Sequence, residues 1–421
     1  MVGPRSVSEG PNLEAIAKEA KLKGYFSTED FPNQRFTRQE FLELMRLLER
    51  LGVPLGQPGR EVTPRTDLSA ETARRIVGAL RRGIPAPEGI GHYSIGRDEL
   101  LQQVRQDLAA VDRRRSIVRF LNADIGQGKT HLLYLLREFA FDRDFAVSIV
   151  TLSQNSCPLY DFMAVYRDVM WGLRTEDQRG KPALSNIIDR WIEDIRVYDR
   201  DRIRQIVENE LPARLRMIMA AYVNATNLFR PNETDRQLVL KFLVGEKMLM
   251  RELRRLGISF RIDGENALQI LSEMARTIRY IGFKGICILF DEAEAIHSFA
   301  TSTQRDQAYA NLRRIVTESR AFAHCYFIYA TTPSFFNAYG SDWLLPGLGQ
   351  DSLLELQPLT IEEMESIGTR VTNVYALAAG WEPPPEVEKA VQMSATAITG
   401  ERVGSYVRQT IAILDEARTR A

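Results

Sequence analysis

Hydrophobic residues recur along this chain with two periods, and the changes of period divide it. Helical spacing comes first, at 12–24 and again at 37–51, where Phe41, Leu44, Met45 and Leu48 share a face and Thr37 with Glu40 has capping-box spacing. A proline-rich linker runs from Gly52 to Pro64. The next helix, Ser69 to Arg82, buries Ile76, Val77 and Leu80 and is stopped by Gly83-Ile84-Pro85-Ala86-Pro87. From Ser116 the pattern turns to strand, turn, helix, strand: Ile117 to Ala123 is apolar and β-branched, Asp124 to Gly128 turns, Lys129 to Ala140 is helical and Phe145 to Leu152 extended. Such a βαβ unit implies a parallel sheet with crossover helices. Amphipathic helices follow at 159–173, 183–195, 202–221, 236–256 and 265–281. Strands return at Gly285 to Phe290, Ala323 to Ala330 and Leu353 to Leu356, with a helix at 306–319. Residues 361–421 read as three helices, broken at Gly380 to Pro385 and at Thr399-Gly400.

The expected chain is therefore α/β. A mainly helical region at 1–68, either a helical or winged-helix-like module or packing for the larger domain, precedes a core at 69–360. The core has a parallel sheet and a large helical insertion at about 155–262, and a small helical lid closes the chain at 361–421.

Composition narrows this picture. With 421 residues, 44% hydrophobic and 26% charged, the chain can bury real cores, which excludes disorder as its main state. It has no run of about 20 apolar residues and no apolar signal core after Met1, so a cytoplasmic protein without a membrane partner is expected. Cys157, Cys287 and Cys325 lack pairing or metal spacing and read as packing residues in a reducing compartment. The net charge of zero first argues against nucleic acid, yet it is a cancellation: 45 basic against 38 acidic residues precede residue 285, and 10 against 17 follow. Of the cations 46 are Arg and 9 Lys, which suits bidentate phosphate contacts and is equally compatible with genome base composition.

The chemistry concentrates at strand ends. Ala123-Asp124-Ile125-Gly126-Gln127-Gly128-Lys129-Thr130 matches the phosphate-binding loop GxxxxGK[ST] except at its first place, where Ala stands for Gly. Gly126 and Gly128 let backbone N–H groups, with that of Gln127 between them, curl around phosphates at the start of a helix. Lys129 would reach the β and γ phosphates of ATP, and the Thr130 hydroxyl would ligate Mg2+. A second apolar strand, Ile286 to Phe290, delivers Asp291 and Glu292; beside the loop strand, Asp291 would hold Mg2+ and Glu292 would act as general base. Glu294 reads as a spare, solvated acid. At the next strand end Thr331 or Thr332 suits the orienting of a water. Arg402, and less so Arg408, opens the last helix within reach of phosphates.

Upstream, Tyr93-Ser94-Ile95-Gly96-Arg97-Asp98-Glu99-Leu100 completes a set that resembles AAA+ ATPases of the initiator type, the origin-recognition and Cdc6-like group. The resemblance covers residues 93–421 and implies that Gly96 and Arg97 border an adenine pocket. The run Thr130-His131-Leu132, the segment Ala73 to Pro85 and Leu289-Phe290-Asp291-Glu292-Ala293-Glu294 are more closely similar to ATP-binding proteins of BREX phage-defence loci, of the BrxD type. That likeness places His131 with the nucleotide-binding residues. It implies an ATPase acting with DNA or DNA-directed partners in bacterial defence; a switch or scaffold that binds ATP with little turnover stays open, as does a homo-oligomer.

Two features depart from a plain core. Residues 321–369 contain no Lys or Arg, so the window that usually supplies an arginine finger is empty; Arg313, Arg314 or Arg320 could substitute, or a partner could. Slow turnover by the isolated chain follows. In addition, about 155 residues separate Thr130 from Gly285, where an ordinary core needs about 60. Lys247, Arg251, Arg254 and Arg255 are expected on one helical face of this insertion, facing either solvent or DNA phosphates.

Overall fold

The structure, a computed structural model, describes residues 68–86, 88–198, 206–209, 211–226, 231–319, 321–337, 352–397 and 403–420. The chain divides into two units, Met1–Thr63 and Pro64–Ala421, and the described residues all belong to the second. The helices expected at 12–24 and 37–51 lie outside the described residues.

Five parallel strands form one sheet: β1 (Ser116–Asn122), β2 (Phe145–Thr151), β3 (Gly285–Asp291), β4 (Cys325–Thr331) and β5 (Leu353–Glu355), in the order β2-β3-β4-β1-β5. Helices α1 (Ala70–Arg81) and α2 (Asp98–Asp112) precede β1, and α3 (Lys129–Phe141) joins β1 to β2. Between β2 and β3 come α4 (Phe162–Trp171), α5 (Leu184–Tyr198), α6 (Ala213–Ala225), α7 (Glu233–Leu243), α8 (Met250–Arg255) and α9 (Ala267–Tyr280). Helix α10 (Ser302–Ser319) joins β3 to β4, α11 (Pro333–Asn337) follows β4, and α12 (Ile361–Ala379), α13 (Pro385–Ala397) and α14 (Val403–Arg420) end the chain. No helix among the described residues is long and apolar enough to cross a membrane.

Every strand read from the sequence is present, but one adjacency is corrected. The acid-bearing strand β3 does not lie beside the loop strand β1; β4 stands between them. Two inter-strand steps, about 10 Å, therefore separate the two motifs. Helix α3 closes that distance because it crosses back over β3 and β2, bringing its first turn above the end of β3. An aromatic rung fixes the spacing from the other face: Tyr329 of β4 stacks on Phe120 of β1 at 5.3 Å and on Phe290 of β3 at 4.6 Å.

Alternation along the strands builds two cores. On β3, Ile286, Ile288 and Phe290 face helices α4 to α10, while Cys287 and Leu289 face α1 to α3 and the C-terminal helices. The insertion is thus the apolar cover of one sheet face, which is why it is rich in buried Ile, Leu and Tyr. Cys157, Cys287 and Cys325 are buried free thiols, as expected of packing residues.

Two helices read as continuous are broken. The segment at 202–221 is interrupted at Leu211-Pro212, since proline has no N–H to continue a helix, and 236–256 becomes α7 and α8 around Gly245, whose φ is +87°. Lys247 consequently lies in a loop rather than on the face of Arg251 and Arg254, and Arg255 is paired with Asp235 at 2.5 Å. The basic face expected there is dispersed.

The C-terminal helices end as their sequence dictates. Thr360 and Glu363 form a capping box at the start of α12, and Gly380 closes it in the left-handed conformation. Helix α1 packs on α12 and α14: Arg81 makes a bidentate contact with Asp415 at 2.6 and 2.8 Å, and the Tyr375 hydroxyl donates to the same carboxylate at 2.7 Å.

Candidate functional site

The carboxyl ends of β1 and β3, the start of α3 and the lid helices enclose a cavity of about 300 Å3. Its position, outside the strand ends where βα loops converge, is where open parallel sheets bind ligands. Gly126 and Gly128 take φ of +95° and +93°, values that explain why glycine is required at both places. The Gln127 side-chain oxygen accepts the Asp124 N–H at 3.1 Å and holds the turn. Alanine at the loop's first position is accommodated: Ala123 extends β1 by one hydrogen bond to Thr331 O at 3.2 Å, and its methyl is buried in the α3-side core.

Lys129 is buried. Its ammonium donates to Ala123 O at 2.9 Å and Asp124 O at 3.3 Å, and Glu294 stands 3.8 Å away. Thr130 donates its hydroxyl to Asp291 Oδ2 at 2.7 Å, while Asp291 Oδ1 accepts the Glu292 N–H at 3.0 Å. Glu292 itself sits in the left-handed region, φ 55° and ψ 39°, an uncommon conformation for a residue with a Cβ. Burial, then the neighbouring carboxylates Asp291 and Glu294, raise its pKa, against the opposing pull of Lys129.

The other end of the cavity is largely apolar, with Ile84, Tyr93, Ile95, Ile367 and Val407 in its wall. His131 is half-buried there, edge-on to Tyr93, with its Nε2 2.7 Å from Ser94 Oγ. The Ser94 hydroxyl donates to Ile90 O at 2.7 Å, so the imidazole is the donor in the first contact and carries its proton on Nε2. Burial, reinforced by the charge of Arg97, pushes the His131 pKa down to about 4, which keeps the ring neutral. Arg97 lines the cavity and donates to Gln357 O at 2.8 Å; burial lowers its pKa, and Glu363 counters. Gly96, with φ of +70°, lies so close to Glu363 that a Cβ would overlap the carboxylate.

Residues read from three separate stretches thus meet in one wall: Arg97, the loop from Gly126 to His131, and Asp291 with Glu292. Others do not. Thr331 is buried with its hydroxyl on Leu121 O at 3.4 Å, Thr332 bonds Ser334 at 2.9 Å, and neither lines the cavity. Arg402 and Arg320 lie outside the described residues. Arg408 lies over Gly83, Arg313 is exposed, and Arg314 is spent on Gly264 O, Glu265 O and Glu318. Glu294, read as solvated, is instead a wall residue against Lys129. The 3-10 turn at Ala293–Ser298 is what returns it to the cavity.

This arrangement, with its parallel sheet, is consistent with a P-loop NTPase-like core. Residues 68–341, 274 of the 421, match the family model of the BREX system ATP-binding protein BrxC/D. The chain belongs to this family. No curated protein matches it. The BrxC/D match begins just before α1 and ends beyond β4, so it contains the loop, both acids and the whole insertion, and leaves β5 and the last three helices outside.

Proposed function

We propose that this BrxC/D-family chain binds ATP with Mg2+ in the cavity and hydrolyses it slowly, as an AAA+-type ATPase serving DNA-directed partners in phage defence. The observation that carries the reading is the 2.7 Å contact between Thr130 and Asp291, which joins the loop to the acid strand across 161 residues of sequence on the wall of one cavity. The two oxygens are hard donors at the end of the phosphate loop, the chemistry Mg2+ selects. When bound there, Mg2+ would neutralise phosphate charge. Thr130 and Asp291 would hold it.

The remaining roles belong to this chain's own groups. Backbone N–H groups of Gly126, Gln127 and Gly128 receive the phosphates, and Lys129 leaves its two carbonyl partners for a terminal phosphate oxygen. Glu292 takes a proton from the attacking water, and its raised pKa brings it nearer the operating pH of a general base. By the alternation of β4, Thr332 rather than Thr331 falls on the face that carries α3, so of the two it is Thr332 that would position that water, its hydroxyl leaving Ser334 to reach the cavity from outside the wall. Gly96, Arg97 and His131 border the base, and Arg402, outside the described residues, is assigned to the phosphates.

A Glu292→Gln variant tests the reading. It is expected to bind ATP like the parent and to lose phosphate release; release equal to the parent's would take the general-base role from Glu292, and a parent that binds ATP and releases no phosphate would sink the hydrolase assignment in favour of a switch.

A further inference from the structure

Away from the cavity, cations collect at the opposite end of the sheet, where the strands begin. Strand β1 is entered from Arg113-Arg114-Arg115, β2 from Arg143-Asp144 and β3 from Lys284. Their backbones are stitched into a row: the N–H of His324, which enters β4, donates to Arg115 O at 3.1 Å, and that of Lys284 to Asp144 O at 2.9 Å. Because β2, β3, β4 and β1 are neighbours, the row spans three inter-strand steps, about 14 Å. Arg105 widens it, sharing the Phe139 ring with Arg143 at 5.9 and 3.5 Å from the ring centre. Among the described residues no ion pair ties Arg105, Arg113, Arg114 or Arg115 to a carboxylate; only Arg279, at the margin, has Asp112 at 3.1 Å.

Helix dipoles do not account for the row. Helices α2, α3 and α9 end here, and a cation at each end is favourable, yet α2 alone is followed by three successive arginines. Backbone strain marks the same place independently. Of the four non-glycine residues with left-handed φ among those described, Arg114 (71°), Asp144 (60°) and His324 (62°) stand at the entries to β1, β2 and β4; the fourth is Glu292 in the cavity. Arg114 directly follows the last capping residue of α2, where glycine is the favoured residue. An arginine there holds a positive charge at a cost in stability that glycine would not incur.

We propose that this end of the sheet docks the phosphate backbone of duplex DNA. By axial rise, about 14 Å corresponds to about four successive phosphates of one strand. The residues of the row, Arg113 to Arg115, Arg143 and Lys284, include no aromatic ring, and the exposed ring near it, Tyr280 at the end of α9, is a single one rather than a series on which successive bases could stack, so the row suits a backbone. The row does not include the cations of the insertion helix α8, where Arg255 is paired with Asp235.

The proposal rests on the part of the functional reading that brings DNA to this chain. It is tested by anisotropy titrations of a labelled 20-base-pair duplex with the full chain at several salt concentrations. Arg114→Gly is expected to weaken duplex binding severalfold, to lower the log K against log salt slope by about 0.9, and to raise Tm, because glycine relieves the left-handed backbone. Arg113→Ala with Arg115→Ala should lower the slope further, while Arg251→Ala with Arg254→Ala should leave it unchanged. Unchanged affinity and slope in the row variants, loss of slope in the α8 variant, or equal binding of single-stranded RNA or polyglutamate would each overturn it. Lost ATP turnover with row-dependent DNA affinity intact would instead sink the hydrolase reading alone.

Discussion

Lys129 meets two carbonyl oxygens and a carboxylate before any phosphate reaches it. The carbonyls belong to the loop and are ordinary hydrogen-bond partners, but Glu294 places a full negative charge 3.8 Å from the ammonium where a phosphate must compete with it. One of its oxygens, Oε2, is buried without a hydrogen-bond partner among the described residues, so the carboxylate is held by its attraction to Lys129 rather than by a network. Screened as at a partly wet site, removing that charge is worth on the order of 1 kcal/mol. Glu294→Gln is therefore expected to tighten nucleotide binding roughly fivefold, read by titration with a fluorescent ATP analogue. Weaker binding in the variant would show that Glu294 supports the phosphates' surroundings instead of opposing them. No pattern in the sequence separates Glu294 from a surface acid; the 3-10 turn that follows β3 is what turns it inward.

At the scale of elements, two contacts set where the site's parts stand. Asp107 of α2 is buried and receives Arg119 of β1 at 2.5 and 2.7 Å and the Tyr326 hydroxyl of β4 at 2.9 Å, which locks the loop strand to its neighbour. Asp107→Ala removes a bidentate carboxylate from the part-buried Arg119 and the acceptor of the buried Tyr326 hydroxyl, and is expected to cost about 3 kcal/mol in a denaturant titration. A loss under about 1 kcal/mol would mean that Arg119 finds water. The clamp of α1 on the lid is the weaker joint, because Arg81 and Asp415 are 51% and 37% exposed. Hydrogen bonding from Arg81 depresses the Asp415 pKa below its ordinary 3.8, so the clamp stabilises the fold above that value and is lost as pH falls through the lower folded one. After screening it contributes no more than about 1 kcal/mol. The Tm gap between parent and Arg81→Ala should accordingly be present at pH 6 and shrink toward pH 3; a constant gap would assign it to packing. Elements of this kind are legible from sequence where local rules govern them, as the strand at Gly285 to Phe290 and the break after α12 at Gly380 show. The place of β4 between β1 and β3 was not legible, since strand order depends on how α3 crosses the sheet, and the break at Gly245 was not, since one glycine within an amphipathic run is often tolerated.

Across the whole molecule, charge is distributed along the strand direction. The carboxyl end presents Asp291, Glu292 and Glu294 around a single lysine, and the amino end presents the arginine row. An ATP tetra-anion entering the acidic end meets more like charge than opposite charge, so affinity should fall sharply in EDTA. The same balance bears on catalysis. Stabilising a γ-phosphoryl group in transfer takes a cation beyond Lys129, and a supplied arginine finger is worth about 10³–10⁵ in rate. Among the described residues Arg97 is the one arginine in the cavity wall; it is tied to Gln357 at the base end, and Arg314 is committed to the loop before α9. The isolated chain is thus expected to bind ATP well and turn it over slowly, with the missing cation arriving from Arg402, from a second copy or from a partner. Phosphate release measured with and without duplex DNA, beside a mass measurement in ATP, separates these sources: stimulation that rises with chain concentration and tracks a larger mass points to a second copy, whereas stimulation by DNA at constant mass points to rearrangement within one chain. Turnover at tens per second by the isolated chain without DNA would show that the cavity already holds every charge it needs.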